Sequence, residues 1–133
     1  MEKLRRAYES FERAFRRFEE VRNQSLMSFF SEEFYTEVVV KRFEYTYESL
    51  WKLTREFLRS RGLECYSPRS CFLELLKEGL VSHSQEQLLS ELIQIRDRLV
   101  HVYDEEEARR LRERVLKEDI HNLFAELLLK LKP

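Results

Sequence analysis

The sequence predicts an all-α fold: an up-and-down antiparallel bundle of four to five helices. Three observations carry that expectation. Gly and Pro number only 2 each in 133 residues, whereas strand-and-turn architectures need both at their turns. Charged residues reach 37%, well above the ~25% of an ordinary globular chain. Hydrophobic residues still make up 43% and aromatics 13%, too apolar a mixture for a disordered chain. High charge, few breakers and ample apolar content together describe long amphipathic helices. Residues 1–133 read as one domain, with no linker, repeat or low-complexity tract.

Each element has its own signal. The first helix runs roughly from Glu2 to Asn23, with Leu4, Tyr8, Phe11, Phe15 and Phe18 on one stripe. Asn23 to Phe30 breaks the pattern and reads as a loop. Ser31 caps a long second helix, with Glu32 and Glu33 in its first turn, where the helix dipole favours acids. Its stripe includes Val40, Phe43, Tyr47, Leu50, Trp51, Phe57 and Leu58, and Gly62 ends it. Ser67 and Pro68 open a short third helix as cap and first residue, and Gly79 stops it. Ser84 to Gln87 reads as a capping box for a fourth helix reaching about Val102. Asp104 to Glu107 reads as a second box. It opens a fifth helix that extends close to the last residue, with Leu111, Val115, Leu123, Leu127 and Leu131 on its buried side. Short connections make neighbouring helices antiparallel.

Charge and motifs narrow the function. With 24 basic and 25 acidic residues the net charge is −1, so there is no general attraction to nucleic acid or to acidic membranes. Any phosphate site must therefore be local. No apolar run approaches the ~20 residues of a membrane span. The opening residues Met1 to Arg6 lack the apolar core of a signal peptide, so a cytoplasmic protein is expected. Cys65 and Cys71 are then expected as free thiols, and with no second pair and no nearby His they are a poor zinc site. No metal and no cofactor is implied. Glycine-rich phosphate loops and the common hydrolase and metalloprotease motifs are absent. Chemistry must come from side chains on helices.

Two charged residues interrupt apolar stripes. Arg96 falls among Leu89, Leu92, Ile93, Leu99 and Val100 on the fourth helix, and Glu44 falls within the stripe of the second. They suggest either a buried pair or a polar dimer interface. The alternative is an Arg96 that lies along the helix with its guanidinium in water. His101 stands near the end of the fourth helix, where the dipole favours an imidazolium, with Asp97 four residues before it. Arg96 and His101 are separated by about 140° on a regular helix. They converge on one ligand only if the helix ends between them or two copies meet across a two-fold axis. His83 is expected in solvent, just before a cap, and His121 on the surface. Trp51, Tyr45 and Tyr47 could stack a base, although their helical spacing points first to the core.

The segment Arg96-Asp97-Arg98-Leu99-Val100-His101-Val102-Tyr103 resembles the R-polar-xxx-H-x-Y signature of the HEPN superfamily. Arg42 to Lys52 resembles the second-helix signature of one branch, the nucleotidyltransferase substrate-binding proteins. Ser67 to Arg69, and Gly79 to Val81, resemble that branch's short third helix. The resemblance runs from the second helix to the last, with the motifs in order. It implies a helical homodimer partnered by a small nucleotidyltransferase subunit encoded nearby, with RNA or a nucleotide in the dimer cleft. Arg96 and His101 would be the catalytic residues of a metal-independent RNase, supported by Asp97 and Glu44. Tyr103 would be the tyrosine to which the nucleotidyltransferase adds AMP. The branch commonly carries Asn where this chain has Asp97, while the wider superfamily accepts Asn, Asp or His. Three readings follow: a substrate-binding partner subunit of a two-component, toxin–antitoxin-like system; an RNase toxin silenced by AMPylation; and a purely structural bundle.

Overall fold

Residues 1–22, 28–102 and 104–133 are described by the computed structural model. Among them the chain is all helical, with α1 (Glu2–Val21), α2 (Glu32–Ser60), α3 (Pro68–Lys77), α4 (His83–Val100), α5 (Glu105–Val115) and α6 (Glu118–Lys130). The Asn23–Phe30 loop expected from the sequence lies largely outside the described residues, and Tyr103 lies outside them as well.

The helix ends follow local chemistry. Ser31 caps α2 by accepting from the Phe34 amide at 3.1 Å. Ser67 caps α3, where Ser70 returns the bond and Pro68 fills the first helical position. Both glycines take positive φ, 80° at Gly62 and 74° at Gly79. Each closes a paired C-terminal motif: the Gly62 and Leu63 amides donate to the Arg59 and Leu58 carbonyls, and those of Gly79 and Leu80 donate to Leu76 and Leu75. The capping box of α4 sits two residues earlier than expected, on Ser82 and Gln85 rather than Ser84 and Gln87, so His83 is the exposed first residue of the helix. Asp104 caps α5 through the Glu106 amide at 3.0 Å, and no reciprocal box closes there.

The count is six helices rather than four or five, because the expected fifth helix breaks at Leu116 and Lys117. The stripe itself requires the break. In one continuous helix Ile120 would face about 180° away from Leu111, yet both are buried. An extended Lys117, ψ 151°, turns α6 so that Ile120, Leu123, Phe124, Leu127 and Leu131 enter the core. Arg114 holds the joint. Its guanidinium reaches both Glu91 oxygens on α4, at 2.6 and 2.8 Å, and both Asp119 oxygens on α6, at 2.9 and 3.0 Å.

The core is aromatic at its centre. Phe124 lies 6.0 to 6.4 Å from the rings of Phe11, Phe15, Phe18 and Phe43. The expected α1 stripe is buried apart from Tyr8, which is half-buried and donates its hydroxyl to the Leu128 carbonyl at 2.8 Å. On α2, Val39 occupies the core while Val40 is half-buried, and Thr46 donates to the Ala14 carbonyl of α1 at 3.2 Å. His121 departs from its expected surface position. Its Nε2 lies 2.7 Å from a Glu19 oxygen and its ring 5.4 Å from Phe15, tying α6 to α1.

The cysteines also depart from expectation: Cys65 and Cys71 form a disulfide. The expectation rested on compartment, and the local geometry is decisive instead. The Ser67 cap and Pro68 fold the connection back over the start of α3, bringing the two Cα atoms to 5.1 Å.

Two outcomes are expected. The disulfide closes a short loop, with a sequence separation of 6, which in the chain-entropy treatment corresponds to about 2 kcal/mol. Urea melts of the Cys65→Ala/Cys71→Ala variant should show a loss of that size relative to the oxidised protein. For Glu19, partial burial raises the carboxyl pKa, but hydrogen bonds from His121 and Arg16 outweigh it and hold it below the ordinary carboxylate range. Glu19 therefore contributes stability that is present above its unfolded value of about 4.3 and lost as pH falls through its folded value. Melting temperature measured across acid pH should fall less steeply in Glu19→Gln than in the parent.

Candidate functional site

The residues singled out on α4 cluster at its C-terminal end, where α2, α3 and α4 meet. Only Leu89, Leu92 and Ile95 of α4 are fully buried, Ile93 and Leu99 are half-buried, and Val100 is 53% exposed. Arg96 is thus at the edge of the stripe rather than its middle. Its side chain retains 34% of its accessible surface, which matches the alternative of an arginine lying along the helix.

Arg96 does have a carboxylate partner, but it is not Glu44. The Arg96 Nε lies 3.7 Å from Glu48 Oε1, whereas Glu44 faces Lys41 at 4.0 Å. The two acids are one turn apart on the same side of α2. The ~5.4 Å rise of that turn decides which of them reaches α4. Glu48 is itself oriented: its other carboxylate oxygen accepts from the Trp51 indole at 3.1 Å. Trp51 is half-buried, and Arg55 lies over its ring at 5.1 Å. A three-member chain results, from Trp51 through Glu48 to Arg96, in which a partly sequestered ring fixes the acid that fixes the arginine.

Next to this chain, Tyr47 is buried, packed against Phe43 and Phe72. Burial, reinforced by Glu48 and Asp97 and opposed by Arg96 and Arg69, pushes its phenol up to about 12. Tyr47 therefore stays protonated at neutral pH and is a poor nucleophile.

His101 is the C-cap of α4, with φ −116° and ψ 21°, outside the regular helix. The helix thus ends between Arg96 and His101, one of the two conditions under which their side chains can share a ligand. Asp97 and His101 are both exposed and form no hydrogen bond or ion pair with each other, so Asp97 does not orient the imidazole. Beyond His101 a cleft of about 360 Å³ opens between the first turns of α2 and α5, with Val102 and Asp104 in its wall. Six carboxylates and one guanidinium, Arg109, line it.

Sequence reasoning did not single out Arg112. It is 6% exposed, donates to Thr36 at 2.9 Å, reaches Glu32 at 3.5 Å, and stacks its guanidinium 5.5 Å from the Tyr35 ring. Its position beside Leu111 on a charged helix carried no signal; only the close approach of α5 to the start of α2 buries it. Among the described residues no cluster of His, Cys, Asp and Glu could hold a metal ion, and no helix is long and apolar enough to cross a membrane.

Comparison with known proteins gives the fold a context. A family model described as nucleotidyltransferase substrate binding protein like matches residues 6–133. The structure is similar to a crystal structure of a protein from Thermus thermophilus, with a TM-score of 0.78 and 28% identity over 92% of this chain and 99% of that one. It is also similar to a chain in a crystal structure of a mutant toxin–antitoxin MntA-HpeT, with a TM-score of 0.78 and 14% identity over 98% and 97% of the two chains. At that identity the second likeness shows the fold alone. No protein of curated function matches the sequence.

Because the Arg96–Glu48 pair is half-exposed, its contribution is small, below about 1 kcal/mol. A double-mutant cycle on Glu48→Ala and Arg96→Ala, read by denaturant melts, should give a coupling of that order. The same cycle with Glu44→Ala should give none.

Proposed function

The chain belongs to the family of nucleotidyltransferase substrate binding protein-like proteins, and from that membership we propose that it is the partner subunit of a small nucleotidyltransferase in a two-component, toxin–antitoxin-like system. The observation that carries the reading is the family match across residues 6–133, which includes the whole Arg96–Tyr103 segment. That segment resembles the HEPN signature, and the fold shared with the MntA-HpeT chain is compatible with it. The partner presents its nucleotide to the end of α4. Tyr103 is the acceptor: its phenolic oxygen attacks the α-phosphorus of ATP, pyrophosphate leaves, and the phenol proton passes to a base.

A second reading is favoured by the exit of His101 from the helix. In a homodimer with α4 near the two-fold axis, Arg96 and His101 of two copies face one cleft. There His101 acts as general acid/base while an RNA 2′-OH attacks the adjacent phosphorus, Arg96 stabilises the charge that develops, and the 5′-oxygen leaves with a proton.

Incubation with the nucleotidyltransferase encoded beside it and ATP should add AMP mass to the wild type and none to Tyr103→Phe. Equal labelling of both rejects Tyr103 as the acceptor. RNA cleavage by the unlabelled protein that is lost in His101→Ala would establish the second reading. Light scattering should give a dimer in either case.

A further inference from the structure

A second polar feature lies on the other flank of the exposed face of α2, away from α4. A cleft of about 270 Å³ between α1 and α2 is lined by Ser10, Arg13, Ala14, Arg17, Arg42 and Tyr45. Half of its lining side chains are guanidinium groups, in a chain whose net charge is −1. Arg42 is drawn onto α1 by a hydrogen bond of 2.8 Å to the Arg17 carbonyl, and it also meets Glu20 at 3.0 Å. Among the described residues Glu20 is the one carboxylate partnered with these arginines, and its side chain is 65% exposed at the rim. Among the described residues Arg13 hydrogen-bonds only to the Ser10 hydroxyl, at 3.5 Å, and Arg17 pairs with no carboxylate.

This arrangement is unfavourable on its own. Arg13 and Arg17 are one turn apart on α1, a spacing at which like charges repel, and Arg42 adds a third guanidinium. By contrast, Arg5, Arg16, Arg59 and Arg109 each lie against an acid three residues away. Beside the three, Tyr45 is 59% exposed, and Lys41 lies 5.8 Å from its ring. Of the two tyrosines in this stretch of α2, Tyr47 serves the core, and Tyr45 offers an open aromatic face next to the arginines.

We propose that this groove binds a nucleotide unit, with its phosphate among Arg13, Arg17 and Arg42 and its base stacked on Tyr45. Guanidiniums supply the forked donors that phosphate oxygens accept, and a phenol ring stacks on any base. Tyr45 and Glu48 are three residues apart and adjacent on the surface of α2. Glu48 in turn faces Arg96 of α4. The unit can be a free nucleotide or one residue of a single strand of RNA.

The test uses the full chain and two probes, a fluorescent ATP analogue and a labelled mixed-sequence oligoribonucleotide, both read by fluorescence anisotropy. At least one should bind saturably. Arg13→Ala and Arg17→Ala should each weaken it, and with the oligonucleotide each should make the salt dependence shallower by about 0.7 in log–log slope. Tyr45→Ala should lower affinity by about five- to a hundred-fold with the slope unchanged, and Tyr45→Phe should restore it. Arg110→Ala, an exposed arginine on α5 whose side chain is 70% accessible, should bind as the parent does. Binding of the ATP analogue identifies a free nucleotide as the ligand, and binding of the oligonucleotide alone identifies a strand. Absence of binding by both probes, or equal loss in Arg110→Ala, would overturn the proposal. So would displacement of the probe by polyglutamate together with indifference to Tyr45→Ala, which would assign the groove to an acidic protein.

Discussion

The ring of Phe124 is the contact on which the rest of the bundle depends. Four other phenyl rings, three from α1 and one from α2, surround it at edge and tilted angles. Such pairs stabilise beyond the area they bury. Their larger effect here is to fix the rotation of α6 about its own axis. That rotation turns His121 toward Glu19 and Leu128 toward Tyr8. It also demands the break at Lys117, because α5 must face the start of α2 while α6 faces α1. The joint that Arg114 clamps is thus a consequence of where one phenylalanine has to sit.

Features that depend on a few adjacent residues were legible in the sequence. The caps at Ser31, Ser67 and Asp104, the two glycine stops and the α1 stripe all appear where local chemistry puts them. What escaped was set by contacts between distant segments. Lys117 carries no capping side chain, Gly or Pro, so the α5–α6 break has no local mark, although the five-residue step from Val115 to Ile120 was a warning. The disulfide escaped because its formation follows from how Ser67 and Pro68 turn the chain, not from the cysteine count.

For the candidate residues, the place on α4 was legible but the partner of Arg96 was not. Arg96 and His101 lie at one end of α4, and the helix does stop between them. Periodicity identifies an acid on the facing side of α2, yet it cannot choose between Glu44 and Glu48, since both lie on that side. The relative slide of α2 against α4 chooses, and no single helix contains that information. The high charge content compounds the difficulty. With 37% charged residues, composition does not tell one arginine from another, and interhelical register separates Arg112, buried on Tyr35, from Arg110 in solvent.

Trp51 gives the site a property of another kind. It is the only tryptophan in the chain, and its indole hydrogen is bound to the carboxylate that faces Arg96. Indole emission responds to a charge or hydrogen bond at its nitrogen. A ligand that draws Arg96 away from Glu48 changes that electrostatic setting, while core packing keeps the ring in position. The protein therefore carries an intrinsic optical sensor one residue removed from Arg96, readable with no label, no tag and no knowledge of what the ligand is.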